Sequence, residues 1–385
     1  MTTAPTISSS TPAAEAAPAA AALRALLRSL AGTGDPLAPP SGGTPAALAW
    51  WLVRGGFGPL AYRLYRERWP ELAAALAADY YSAVAESGLA AEQLLQVEAA
   101  FPAAGIPAVL LKGAALSRTV YEQPADRVMS DVDLWIHPEQ MAGAFQLLSS
   151  LGFTAGGKES RPPALQQLSR GEIAFAGPRA RLLELHWSPF AGWWLLRSAA
   201  IDDEGLWARR EPLEGTPGLF QLAAEDTILH LAIHLAVNHQ FGLYPLRSLV
   251  DIARTAQQRA VDWHTVARRA RNWRVATATW SVLALLDDLI GSSGAAPALA
   301  ALRPGPLRRR LLARLVNPHR LLHQQDVRGT RARYLLLLLL VDRPRDAARL
   351  IFRTLRPEPA WLEARYGRQT SRWRHLWNVA RHGRI

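Results

Sequence analysis

Residues 109–138 read VLLKGAALSRTVYEQPADRVMSDVDLWIHP. The order is strand, glycine turn, helix, loop, strand. Val109, Leu110 and Leu111 form a short apolar run that Lys112 and Gly113 end. Ala114 to Tyr121 predicts the opening of a helix, with Leu116 and Val120 one turn apart on one face. Glu122 to Arg127 is polar and contains Pro124. From Ser130 to Ile136, acidic residues then alternate with apolar ones. Alternate residues of a strand point the same way. Asp131 and Asp133 are therefore expected to project together, and Val132, Leu134 and Ile136 to face a core.

Adjacent carboxylates repel unless a cation or a proton lies between them. Mg²⁺ meets that need where a phosphate must also be held, because it takes one or two carboxylates together with phosphate oxygens and water. A pair of such ions can activate an attacking oxygen and stabilise a leaving one. Gly113 would let the backbone approach a phosphate, and the helix start after it would offer free N–H groups and a positive dipole end. Lys112 adds a mobile cation. Of 44 Lys plus Arg, only Lys112 and Lys158 are lysine. A compact ammonium in a chain that otherwise writes arginine points to a tight spot beside the turn.

The stretch from Leu110 to Gln140 resembles the signature of the uncharacterised bacterial nucleotidyltransferases, within the DNA polymerase β-like nucleotidyltransferase superfamily. The shared pattern is a strand, a glycine turn, a helix, Asp-x-Asp on the next strand and a third acidic residue on a later one. This family writes Lys-Gly, here Lys112-Gly113, where its superfamily relatives write Gly-Ser, and Ser117 stands four residues after Gly113. Three further segments extend the resemblance. Glu184-Leu185-His186-Trp187 places Glu184 where the third carboxylate falls, with His186 on the same strand face, and the alternative is a strand whose solvent face carries both. Leu219 to Thr255 is similar to the helical segment that follows the catalytic domain, and PEPAWLEARYG (357–367) is similar to the family's tail.

The 385 residues suffice for one large or two ordinary domains, and the 49% hydrophobic content permits a sizeable core. No apolar run approaches the ~20 residues that span a bilayer. The densest, Tyr334 to Val341, reads as a buried helix. Cysteine is absent, which excludes disulfides and thiolate metal sites and fits a cytoplasmic protein. A formal charge of +12 and a pI near 10.8 attract polyanions, but an Ala- and Arg-rich composition drifts basic without any such partner.

Residues 1–45 are rich in Ala, Pro, Ser, Thr and Gly and are expected to be disordered or weakly ordered, except for a short helix from Ala20 to Leu30. Residues 46–104 read as helical, with Gly88 as a potential break in a long Ala-rich stretch. The α/β core spans 105–200. It includes a helix from Pro138 to Gly152, and strands at Glu172–Phe175 and Leu182–Trp187 across a Gly177-Pro178-Arg179 turn. Residues 218–385 read as a helical region. A helix from Ala224 to Gln240 carries His230 and His234 one turn apart. They could bind zinc, pack at an interface or line the cleft, but the glutamate of an H-E-x-x-H site is missing. Arg247 and Asp251 are also four apart, a pairing worth only ~0.2–0.5 kcal/mol when exposed. Asp262 is placed to cap the next helix. Arg268, Arg269, Arg271 and Arg274 surround Trp273, which suits either a solvated face or single-stranded nucleic acid. The basic, Trp-containing C-terminal stretch suits docking on its own core, an anionic membrane surface or a partner.

The expected architecture is α/β (α+β), a small mixed-sheet nucleotidyltransferase core embedded in a largely helical body. The resemblance implies a Mg²⁺-dependent transferase that moves an NMP from an NTP such as ATP to an acceptor hydroxyl or phosphate and releases pyrophosphate. Asp131, Asp133 and Glu184 would be catalytic and would hold two ions. Lys112, Gly113, Ser117 and Arg127 would bind the nucleotide, and His186, His230 and His234 would line the cleft. The acceptor could be a small molecule, a peptide or a protein. The alternatives are a catalytically weak binding or antitoxin-like regulatory module, and a nucleic-acid binder acting through Arg-rich helices.

Overall fold

The computed structural model describes residues 18–34, 42–156, 171–177, 182–190, 192–242, 244–291, 294–324, 329–367 and 373–377. The Gly177-Pro178-Arg179 turn falls largely outside them. A seven-stranded mixed sheet sits in a predominantly helical body, as the sequence pattern predicts. In chain order the strands are β1 (Ala108–Leu110), β2 (Asp131–Ile136), β3 (Thr154–Ala155), β4 (Glu172–Ala176), β5 (Leu182–His186), β6 (Glu211–Pro212) and β7 (Leu219–Gln221). Their order across the sheet is β3-β4-β5-β2-β1-β7-β6. β2 runs antiparallel to β1 and parallel to β5, and β1 runs parallel to β7.

The pleat divides the sheet between two cores. Val132, Leu134 and Ile136 of β2 join Leu183 and Leu185 of β5 and Phe175 of β4 in the smaller one, against the Met141–Ser150 helix and the end of the Pro70–Ala103 helix. Val109 and Trp135 point the other way, into the larger core of the helical body. Asp133 lies on the Trp135 side by the period-2 rule. The carboxylates thus face the seam between sheet and helices.

Helix ends follow local chemistry. Thr44 accepts the Ala47 N–H at 3.3 Å ahead of Pro45, an N-cap followed by a proline with preset φ. Asp262 caps Trp263–Asn272 through the His264 N–H at 3.0 Å, as expected. Gly152, with φ +84°, ends the turn after Met141–Ser150. The Ala20–Leu30 helix is no loose appendage, because Leu23, Leu26, Leu27 and Leu30 recur at helical spacing and are fully buried in the larger core. Gly88 does not break its helix. Pro70–Ala103 is continuous over 34 residues, or about 51 Å at 1.5 Å per residue.

One other expectation is corrected. The helix after β7 does not run regularly to Gln240: Ala224–Ile233 is α-helical, and His234–Asn238 is a π-helical turn whose closing bond runs from the His239 N–H to the His234 carbonyl at 3.0 Å. The basic cluster around Trp273 presents no stacking platform, because Trp273 is buried, Arg269 pairs with Asp226 at 2.9 Å and Arg274 lies 3.7 Å from Asp346. Among the described residues, no helix is long and apolar enough to cross a membrane.

Candidate active site

Lys112 opens the Lys112–Thr119 helix directly after β1. It, and not Gly113, adopts the left-handed conformation at the turn, with φ +47°. Such backbone is costly for a side chain with a Cβ and concentrates at functional sites. Six non-glycine residues among those described have positive φ, and three of them, Lys112, Gln240 and Tyr244, line one cleft. Gly113 is needed for space: a Cβ there would lie 2.7 Å from Met129 Cγ.

The turn aims the Lys112 ammonium at Asp133, with Nζ donating to Oδ1 at 2.8 Å. His186 Nε2 meets the same oxygen at 2.9 Å. The parallel register sets Asp133 beside Glu184 on neighbouring strands. Suitable donor atoms of Asp133, Glu184 and His186 all lie within 4.8 Å of one another, and all three residues are buried. The three donors at this spacing can hold a divalent cation, the two carboxylates suiting a hard ion such as Mg²⁺ and the imidazole a borderline one. Burial pushes the Asp133 pKa up, but Lys112 and His186 overcome it and hold the carboxyl well below its usual range. Burial likewise opposes the Lys112 charge, and Asp133 together with Glu184 raises its pKa nonetheless.

Asp131 sits at the more exposed start of β2, where it accepts the Ser130 hydroxyl at 3.1 Å. It lines the same cleft, of about 650 Å³, as Lys112, Gly113, Arg127, Asp133 and Glu184, but is not in the tight donor group. Sequence reasoning missed Glu172. It pairs with His186 in the β4–β5 register, its carboxylate is 3.5 Å from His186 Nδ1, and it also lines the cleft. The available signal was the alternation of β4 carried across the turn.

Two predicted nucleotide contacts change character. Ser117 is buried, its hydroxyl donates to the Ala114 carbonyl at 3.5 Å, and it does not line the cleft. Arg127 reaches the cleft but is already engaged. Its Nε and a terminal nitrogen grip both Asp251 oxygens, each at 2.8 Å at closest, and its other terminal nitrogen donates to the Val128 carbonyl at 2.7 Å. Tyr121 donates its hydroxyl to Asp251 at 2.7 Å. Asp251 is thus the centre of a buried network that fixes the loop leading into β2, and not a marginal helix-face partner of Arg247. Burial and then the neighbouring Arg127 lower the Arg247 pKa to about 10.

His234 lines the main cleft, and His230 lines a small adjoining recess with Lys112 and His186. Burial and then Lys112 depress both imidazoles, His230 to about 3 and His234 well below its usual value, so both are neutral at pH 7. An unfolded chain protonates them below about pH 6.5. Stability from these two groups is full above that pH and falls as pH drops toward 3, because the unfolded state then binds more protons. Denaturant titrations at pH 7 and pH 5.5 are expected to differ by about 2 kcal/mol from this pair. A His230→Asn/His234→Asn variant should reduce that difference to what the carboxylates leave.

The sheet thus brings the Asp-x-Asp strand and the Glu184 strand together beside the helix that Lys112 opens. The model of the uncharacterised nucleotidyltransferase family matches residues 44–291, and the chain belongs to this family. The match ends before the PEPAWLEARYG stretch, so the resemblance expected there is not part of it. No curated protein and no solved structure matches the chain.

Proposed function

We propose that the chain transfers a nucleoside monophosphate from an NTP to an acceptor hydroxyl or phosphate, with a divalent cation, Mg²⁺ by preference. The observation that carries this reading is the pairing of Asp133 with Glu184 on adjacent parallel strands, with Asp131 at the open end of the same cleft. Asp133 and Glu184 would hold one cation, and Asp131 would share a second with Asp133. When bound, these ions supply charge for the α-phosphate and lower the pKa of the attacking group. The acceptor oxygen forms a bond to the α-phosphorus, the bond to the bridging oxygen of the β-phosphate breaks, and pyrophosphate leaves. Glu184 accepts the acceptor's proton. Lys112 and the N–H groups of the helix it opens hold the β- and γ-phosphates. Arg127, held by Asp251, sets the position of Asp131 and adds positive potential at the cleft. A cytoplasmic setting, where NTP is plentiful, accords with this chemistry.

The test is NTP consumption with product identification. The protein is incubated with each NTP, MgCl₂ and cell extract as an acceptor pool, beside Asp131→Asn/Asp133→Asn. Pyrophosphate release that needs the carboxylates, with a nucleotide-labelled product, is the expected result. NDP release instead would mean phosphoryl transfer. Mg²⁺-dependent NTP binding without turnover would mean a regulatory module.

A further inference from the structure

The cleft is also lined by Trp193, Arg197, Arg353, Trp361, Arg365 and His375. The last four lie beyond residue 291, outside the segment that the family model matches. The Trp193–Ser198 helix packs on the Pro344–Leu355 helix. His375 is buried and clamps the C-terminal turn, with Nε2 2.8 Å from the Thr354 carbonyl and Nδ1 3.1 Å from the Tyr366 hydroxyl. These contacts make the wall a built surface.

Its charge is only partly matched. Arg353 is paired with Glu358 at 2.9 Å. Arg197 and Arg365 make no ion pair among the described residues and instead lie near rings, Arg197 at 5.7 Å from Trp193 and Arg365 at 5.3 Å from Trp361. Burial disfavours the Arg197 charge, Glu358 offsets part of that, and the like charge of Arg353 opposes it again. An oxyanion beside Arg197 would relieve its repulsion with Arg353. Arginine's planar fork suits carboxylate and phosphate oxygens, and indole faces receive flat groups. The triphosphate has its own cation and helix start at Lys112. The wall, built largely from segments outside the family match, is left for the other substrate.

Given nucleotidyl transfer at the carboxylates, we infer that this wall is the acceptor subsite, and that the acceptor carries a carboxylate or phosphate beside a flat ring. Arg197 and Arg365 hold the anion, Trp193 and Trp361 hold the ring, and the reacting oxygen points toward Glu184.

Calorimetric titration of the full-length protein, loaded with Mg²⁺ and the non-hydrolysable nucleotide AMPCPP, tests this with phenyl phosphate, benzoate and benzyl alcohol. At least one anionic probe is expected to bind, with benzyl alcohol about tenfold weaker or worse. A preference for phenyl phosphate would mark a phosphorylated acceptor, and one for benzoate a carboxylic acid. Arg197→Gln/Arg365→Gln should weaken the anionic probe about tenfold or more, and Arg197→Lys/Arg365→Lys should recover part of the loss. Trp361→Leu should weaken every ring probe, while AMPCPP affinity stays within about twofold. Equal binding of benzyl alcohol, no anion binding, or indifference to the arginine changes would overturn the subsite. A parallel loss of AMPCPP affinity would overturn it too, assigning the wall to the nucleotide. Intact anion binding without carboxylate-dependent pyrophosphate release would remove the acceptor role and, separately, the transfer reading.

Discussion

Asp133→Asn is expected to lower pyrophosphate release by about 10³-fold, the scale on which a group aimed at developing charge contributes in a dry site. Three observations select this residue over its neighbour. Its carboxylate is almost fully buried, so its charge acts with little screening. It lies in the donor group with Glu184 and His186. Its low pKa keeps it ionised and ready for a cation across the physiological range. Asp131, partly exposed and outside that group, should cost less, about 10²-fold as Asp131→Asn. Release measured at saturating NTP and MgCl₂ gives both values. Retention of more than a tenth of the rate by Asp133→Asn would remove the carboxylate from the chemistry. Asp133 is also hydrogen-bonded to Lys112 and His186. The same variant should also lose any rise in Tm that MgCl₂ gives the parent, since binding to the native state is what raises it.

The second large effect concerns folding. Asp251→Ala should destabilise the protein by about 3–5 kcal/mol, because it leaves the Arg127 guanidinium buried without its counter-charge. Asp251 is fully buried, and it also accepts the Tyr121 hydroxyl. Arg127→Met should cost a similar amount by orphaning the carboxylate. Arg127→Met/Asp251→Leu should recover much of either loss, since an apolar pair of comparable volume avoids the desolvation cost altogether. Urea denaturation of these proteins, with Asp251→Leu added as the matching single variant, completes the cycle. Single-variant losses below about 1 kcal/mol would show that solvent screens the pair. The double variant should still transfer nucleotide poorly, because the loop into β2 would lack its polar anchor.

What could be read in the sequence was whatever rests on local period. The alternation through Asp131–Ile136 placed the carboxylates on one face and Val132, Leu134 and Ile136 on the other, and the same rule put Glu184 and His186 together. Leu23, Leu26, Leu27 and Leu30 announced their helix in the same way. The missed features depend on partners far along the chain. Arg127 and Asp251 meet across 124 residues, and no local pattern joins them. Ser117 was assigned by distance from the glycine, but its place on the helix points it inward. Gly113 looked like the flexible residue of the turn because glycine usually is. The strain sits on Lys112 instead, and Gly113 keeps Met129 from being displaced. The π turn at His234–Asn238 has no compositional mark, and the arginine- and tryptophan-rich C-terminal helices gave no sign that they form a cleft wall.

The long reach of these contacts bears on synthesis. The ribosome completes β5, and with it Asp133 and Glu184, by residue 186, whereas β7 ends at Gln221, Asp251 follows thirty residues later, and the His375 clamp comes near the end. At ~5–20 residues per second the interval from β5 to His375 lasts roughly ten to forty seconds. During it the nascent sheet holds its acidic cluster without a locked entry loop or a finished cleft. Partly made chains should therefore be both inactive and acid-exposed, and truncated products that stall in this interval should be readily cleared by proteases.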